Sequence, residues 1–546
     1  MTTLAGTGKL VRLILRRDRL LMPLWILFIG VVPVSVAASF AALYPTAAAR
    51  QQFAAISGPN ATFVALYGRL LGSSLGELVT WRAGFIPVVI GLIGLLTVIR
   101  HTRVEEETGR RELLGSTVVG RNAGLAAALI ATFGANLALA ALLALMMMSQ
   151  HLPAAGSLAL GVEFAAAGWV FAAIGGVAAQ LTDGAGGARG IAISVLGAAY
   201  LLRIGGDLSG FVPGASRGAS GQSGGAFSWL SWLSPIGWVQ RIRPYGGDRW
   251  WVVVLAAGLT TVIAAAAVAV SARRDVGAGL FPARPGSATA APGLRTPLAL
   301  AWRLHRGLLA GWTAGLAVVG VVLGGIANGI GNLLQGNRNL EDIFTRMGGR
   351  SGLINAYLAG MMGLLALLAA AYAIQATLRL RSEETSGRAE PVLATAVGRL
   401  QWAGSHLVFS ILGSAAALLG AGLTMGLTYG LDAGHAGREL VRVLGAAMVQ
   451  LPAVWVLVAV AVALVGLLPR FAAASRGALA LCLLFGLVGA ALQLSQWLLD
   501  LSPFSHIPKV PGATVSATPL VSLLAVAVAL GAAGLIGLRH RAIPVT

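Results

Sequence analysis

"RVEEETGRRELLGSTVVGR", residues 103–121, is the densest charged run in a chain that is mostly Ala, Gly, Leu and Val. It recurs without a gap, 278 positions later, as "RSEETSGRAEPVLATAVGR", residues 381–399. Arg103 and Arg381, Glu105 and Glu383, Glu106 and Glu384, Gly109 and Gly387, Arg110 and Arg388, Glu112 and Glu390, and Arg121 and Arg399 all coincide. A polar signature repeated in so apolar a chain divides the sequence into two copies of one design.

The surroundings of the two copies fix the class. Hydrophobic residues make up 57% of the 546 and charged residues 11%, against about 25% charged in a soluble globular protein. Such a chain cannot cover its surface with charge, so it is read as an all-α integral membrane protein. The net charge of +20 is spread between long apolar runs and makes no nucleic-acid-binding face; the positive-inside rule accounts for it better. Lys occurs only as Lys9 and Lys509, and the large Arg excess is the bias of a GC-rich bacterial genome. The single cysteine, Cys482, excludes disulfides within the chain and reads as a small buried hydrophobe.

A bilayer-spanning helix needs about 20 mainly apolar residues. Twelve runs qualify, near 20–43, 81–99, 122–148, 158–180, 190–204, 250–270, 308–330, 353–378, 402–430, 443–468, 477–499 and 519–538, the fifth being short. With the N-terminus in the cytoplasm, 25 of the 39 Lys and Arg residues fall in the inner segments, which places both termini inside a bacterial cell membrane. The first run exceeds the 7–15 residues of a signal-peptide core and reads as a retained span.

The repeat extends past the motif. "RLLMPLW" at 19–25 answers "RGLLAGW" at 306–312, and "LSP" recurs at 233–235 and 501–503. The expected organisation is a six-helix half over 1–275, a Pro/Gly/Ala-rich cytoplasmic linker over 276–297 and a second six-helix half over 298–546. An even number of spans per half gives both copies one orientation, so their pseudo-two-fold axis runs along the membrane normal with a pathway between them.

On a helix, Glu105, Gly109 and Glu112 fall at i, i+4 and i+7, an acidic face with a notch at the glycine; Glu383, Gly387 and Glu390 repeat it. Glu106 with Arg110 and Glu384 with Arg388 are i,i+4 pairs in the favourable orientation, each worth about 0.2–0.5 kcal/mol. A loop that only anchored topology would explain Arg100 and Arg121, but not three acids per copy, since acids contribute little to orientation.

Two transporter families carry a charged motif in this loop. "TGRRELL" at 108–114 looks like the element between spans 2 and 3 of major facilitator proteins, but the Asp-Arg usual before its Gly is absent, and "SGRAEPVL" loses the double basic pair. The whole pattern instead resembles the ABC-2 class of ABC-transporter permeases, in particular large actinobacterial exporters of polyketide antibiotics of the tetronasin type. The resemblance rests on the basic amphipathic segments "KLVRLILRRDRL" and "LAWRLHRGLL", the two Glu-Glu-x-x-Gly-Arg-x-Glu loops, the polar segments "WLSWLSPIGW" and "LLDLSPFSHIP", and the fusion of two halves.

That resemblance implies two fused ABC-2 (type V exporter-like) halves and coupling helices near 103–121 and 381–399, seated in two copies of a separate cytoplasmic ABC ATPase that binds ATP and Mg²⁺. The coupling residues would be Glu105, Glu106, Gly109, Arg110, Glu112 and Arg121, with Glu383, Glu384, Gly387, Arg388, Glu390 and Arg399. Arg12, Arg16, Arg19, Arg303 and Arg306 would anchor the inner interface against lipid phosphates. Trp232, Pro235, Trp238 and Pro503 would lie at an outer gate. A proton-coupled antiporter of major-facilitator type is the alternative, and a non-transporting scaffold a third reading.

This chain is not expected to be an enzyme. Its only Gly-Lys, in "GTGKL" at 6–10, lacks the Ser/Thr that holds Mg²⁺ in a Walker A loop, and "SGQSGG" at 220–225 falls in an outer loop. The seven histidines show no metal-ligand spacing. Glu163 and Asp500 read as interfacial acids near span ends, and the lack of a mid-span acid weakens a proton-coupled reading. The uncharged interior implies hydrophobic or amphipathic small-molecule cargo.

Overall fold

The computed structural model describes residues 3–541 except 60, 116–117, 210–226, 276, 282–288, 290, 292–293, 334–348 and 489–494. The stretch 220–225, much of the linker 276–297 and the middle of the eleventh run lie outside the described residues. Among those described, every regular element is helical, and eleven helices are long and apolar enough to cross a bilayer. The chain is a multi-pass membrane protein. It divides into two compact units, Met1–Gly286 and Ser287–Thr546.

In the first unit, α1 (Thr7–Arg17) is amphipathic, burying Ile14 with Leu10 and Val11 beside it. Then come α2 (Leu21–Leu43), α3 (Ile86–His101), α4 (Ala123–Ser149), α5 (Ala154–Leu181), α6 (Ala185–Leu208) and α7 (Trp250–Ser271). The Ala/Gly-rich α5 is the most buried and packs against α3, α4, α6 and α7, since small side chains let helix backbones approach closely. The fifth apolar run is longer than expected. Arg203 and Asp207 interrupt its hydropathy, yet they pair at 3.0 Å with Arg203 fully buried, so the helix continues through them to Leu208.

The second span starts later than expected. Leu75–Arg82 is a separate short helix with a Ser74–Glu77 capping box, and α3 begins at Ile86 with Pro87 in its first turn, where the missing proline N–H costs nothing.

The second unit contains α8 (Pro297–Leu333), α9 (Gly349–Thr385), α10 (Arg399–Asp432), α11 (Ala436–Val449), α12 (Leu451–Leu467), α13 (Ala474–Val488) and α14 (Ala517–His540). Its core joins α8 to α10, α9 to α10 and α12, and α12 to α14. α13 is apolar but short, and the run it opens extends beyond the described residues.

The two basic amphipathic segments differ. In the first unit a break separates α1 from α2, where buried Asp18 binds His101 at 2.6 Å and Arg100 at 3.0 Å. In the second, the equivalent residues belong to one continuous helix, α8.

Candidate functional site

The first copy of the motif closes α3 and leads into α4. Arg103–Glu107 makes a short helix, Gly109 turns the chain at φ +70°, and Arg110–Gly115 makes a second short helix. The second copy follows the same course: α9 runs to Thr385, Gly387 turns at φ +69°, and Ala389–Leu393 follows. A left-handed backbone costs a residue bearing a Cβ about 1–2 kcal/mol, which accounts for glycine at both turns.

The single continuous helix expected from the sequence therefore does not form. The turn resets the helical phase, so Glu105 reaches Arg110 at 3.6 Å and Glu383 reaches Arg388 at 3.2 Å, in place of the expected pairs from Glu106 and Glu384. Nothing in this chain lies within 4 Å of a Cβ built on Gly109, so no contact within the described residues requires a glycine there. Within the chain, the positive φ is what calls for glycine.

The second acid of each copy points inward. The Glu106 side chain is 1% exposed and accepts from Arg103 at 2.7 Å. Arg274, just beyond α7, grips the same carboxylate through two contacts of 2.9 Å, and Arg111 completes the set. Arg103 also donates to the carbonyls of Asp183 at 2.9 Å, Gly277 at 2.8 Å and Ala278 at 3.1 Å. Arg274 donates to Gln180 Oε1 at 2.7 Å. Burial pulls the Arg111 guanidinium down to about 10, with Arg274, Arg103 and Arg121 pushing the same way; it stays charged at neutral pH.

Neighbouring residues tie the loop to other helices. Glu105 pairs with Arg17 at the end of α1. Glu107 accepts from the Ala185 amide at 3.0 Å, at the N-terminus of α6 where a carboxylate is favoured. Arg121 donates to the Arg274 carbonyl.

The second unit builds the same clamp. Glu384, its side chain 1% exposed, pairs with Arg381 at 3.1 Å and with Arg541, just beyond α14. Arg399 donates to the carbonyls of Arg539 at 3.2 Å and Arg541 at 2.7 Å. In each unit, then, a buried glutamate and the closing arginine of the motif seize the segment that follows the unit's last helix. The sequence reading missed Arg274 and Arg541, which it counted only as topology-setting charges. Their placement just after the last span of each half was the available signal.

The exposed residues of the motif include Arg110, Glu112 and Leu113 in the first copy, and Arg388 and Glu390 in the second. Beside the first copy, a cavity of about 560 Å³ lies against α1, with Leu10, Leu13 and Ile14 on one side and Arg17, Glu105 and Arg121 among its polar lining.

Of the expected lipid anchors, Arg12 and Arg16 are exposed on α1, but Arg19 is not on their helix, which ends at Arg17. Arg303 and Arg306 are exposed on α8. Trp232 and Trp238 do come together, the Trp238 indole N–H donating to the Trp232 carbonyl at 2.6 Å. Pro235 opens the helix Pro235–Gln240, whose N-terminus Ser234 caps, and Pro503 opens the 3-10 turn Pro503–His506.

Over 537 residues the chain is 45% identical to the multidrug efflux system permease protein Rv1217c of Mycobacterium tuberculosis (strain ATCC 25618 / H37Rv), covering 98% of this chain and 95% of that one. The chain belongs to this permease family. The family model for the C-terminal domain of the multidrug efflux system permease Rv1217c matches residues 294–539, and the second clamp lies in that region apart from Arg541. The first unit of the permease carries the same clamp outside it.

Glu163 corrects a further expectation. It is not an interfacial acid: it is 1% exposed within α5, with Oε2 lacking a hydrogen-bond partner. The helix brings it to an inner face that hydropathy alone cannot distinguish from a lipid-facing one.

Proposed function

We propose that this permease is the membrane subunit of an ATP-driven efflux pump of the ABC-2 (type V exporter-like) class. Its twelve spans form two six-helix halves, 1–275 and 298–546, about a pseudo-two-fold axis along the membrane normal. The linker 276–297 and both termini are cytoplasmic. Two copies of a separate ABC ATPase, carrying ATP and Mg²⁺, dock on the two motif loops and drive outward movement of hydrophobic or amphipathic compounds such as antibiotics, polyketides or drugs.

The observation that carries this reading is the clamp built twice, Glu106 and Arg121 on Arg274, and Glu384 and Arg399 on Arg541. A loop that only connected two spans needs no buried ion pairs to the end of a distant helix. A loop that receives force does, because a push on it is then delivered to the last helix of its half. The docking contacts fall to the exposed residues Arg110, Glu112, Arg388 and Glu390, whose charges set register with a complementary partner. Glu106 and Glu384 transmit rather than touch.

The test is co-purification with a candidate ABC ATPase expressed together with the permease. Glu112→Lys combined with Glu390→Lys should abolish both association and drug efflux while leaving the permease folded. Efflux that persists without any ATPase, driven by a proton gradient, overturns the reading in favour of a secondary antiporter.

A further inference from the structure

A cavity of about 160 Å³ opens in the first unit among α5, α6 and the short helices Leu75–Arg82 and Pro235–Gln240. A single water needs only about 10–15 Å³, so this space admits a ligand head group. It lies far from the motif. Glu163 in its wall and Gln180 in the clamp share α5, seventeen residues and about 25 Å apart.

Two buried polar atoms in its lining have no partner, Glu163 Oε2 and Thr80 Oγ1. The other acids of the lining are engaged: Asp207 pairs with Arg203, and Glu77 closes the capping box on Ser74. Its cations are largely engaged too. Arg69 donates to the carbonyls of Asp207 and Gly206 at 2.9 and 3.4 Å. Arg241 donates to Ser231 Oγ at 2.5 Å and lies 4.2 Å over the Trp232 ring. Arg243 also lines the cavity. Glu163 therefore stands as a buried carboxyl group with no cationic partner, lining an open space.

Part of the wall is aromatic. Tyr67 and Trp81 line the cavity with ring centroids 5.3 Å apart, and the Trp81 N–H is fixed on the Gly68 carbonyl at 2.9 Å. The Tyr67 ring already holds a cation, Arg82, at 4.6 Å. Aromatic faces and a buried acid that can ionise only beside a positive charge together match a cation that carries apolar bulk.

We propose that this cavity binds the charged head of a lipophilic ammonium or phosphonium cation, with Glu163 as counter-ion and Trp81 and Tyr67 as walls. The efflux reading says what becomes of such a compound; binding itself needs only this chain.

The experiment is equilibrium binding of radiolabelled tetraphenylphosphonium to the purified full-length permease in lipid nanodiscs. Saturable binding is expected, with Glu163→Gln weakening it about tenfold or more at an unchanged or raised unfolding temperature, and Glu163→Asp retaining part of it. Equal binding by parent and Glu163→Gln, or no saturable binding by the parent, overturns the proposal. Should Glu163→Gln not fold, the parent protein decides: saturating tetraphenylphosphonium should slow carbodiimide modification of Glu163, and unaltered modification overturns it. Neither measurement includes ATP or a partner, so failure here leaves the ATPase reading standing, and transport without an ATPase leaves this site standing.

Discussion

Arg274 grips the Glu106 carboxylate with both of its terminal nitrogens at 2.9 Å, across 168 positions of sequence. The same Arg274 offers its carbonyl to Arg121, so one residue beyond α7 is held by the second acid and the last base of a single motif. Two parallel contacts between a guanidinium and a carboxylate fix orientation as well as distance. The loop between α3 and α4 cannot shift without carrying the end of α7.

Removing Glu106 leaves Arg103 and Arg274 charged and buried without their shared acceptor. Breaking a buried pair from one side costs about 3–5 kcal/mol, so Glu106→Ala should lower the unfolding temperature of the purified permease sharply, read by intrinsic fluorescence in detergent. A shift no larger than that of an exposed control, Glu112→Ala, would contradict the clamp.

The second clamp is lighter. Glu384 has two arginine partners where Glu106 has three, and the Arg541 side chain is 13% exposed against 4% for Arg274. Arg541→Ala should therefore destabilise less than Arg274→Ala. A double-mutant cycle of Glu384 and Arg541 should return a coupling of about 0.5–3 kcal/mol, and a value near zero would mean that the pair does no structural work.

Gly109 and Gly387 sit at φ +70° and +69°, and the first has open space around it. Gly109→Ala should cost about 1–2 kcal/mol through backbone strain alone, while Gly109→Asn, which tolerates this conformation, should cost less. Paired thermal melts check the order, and an Ala variant as stable as the parent would contradict the turn.

α12 and α14 approach through glycine. A Cβ on Gly466 would stand 1.9 Å from the Gly534 carbonyl oxygen, and glycine at a helix contact in a membrane is what lets backbones pack. Gly466→Leu should reduce the folded yield on size-exclusion chromatography well below that of Leu467→Ala, a change at an exposed neighbour.

The sequence by itself determined the membrane class, most span positions and the two-fold repetition of the design, because hydropathy, charge placement and spacing are properties of the chain read in order. It singled out Glu106, Arg121, Glu384 and Arg399 as docking residues without showing that they clamp the end of each unit. Helical spacing puts Glu105, Gly109 and Glu112 on one face and pairs Glu106 with Arg110 only if the helix is unbroken, and in each copy a glycine with positive φ interrupts it. Tertiary structure alone decided which acids face solvent and which face arginines. Glu105, Glu106 and Glu107 are adjacent and chemically alike, yet one pairs with α1, one is buried against Arg274, and one caps α6. Likewise, Glu163 in α5 and the arginines beyond α7 and α14 acquire meaning only from what the fold sets beside them, since a charge in a low-dielectric interior is governed by its nearest partner, and partners far apart in sequence leave no local pattern.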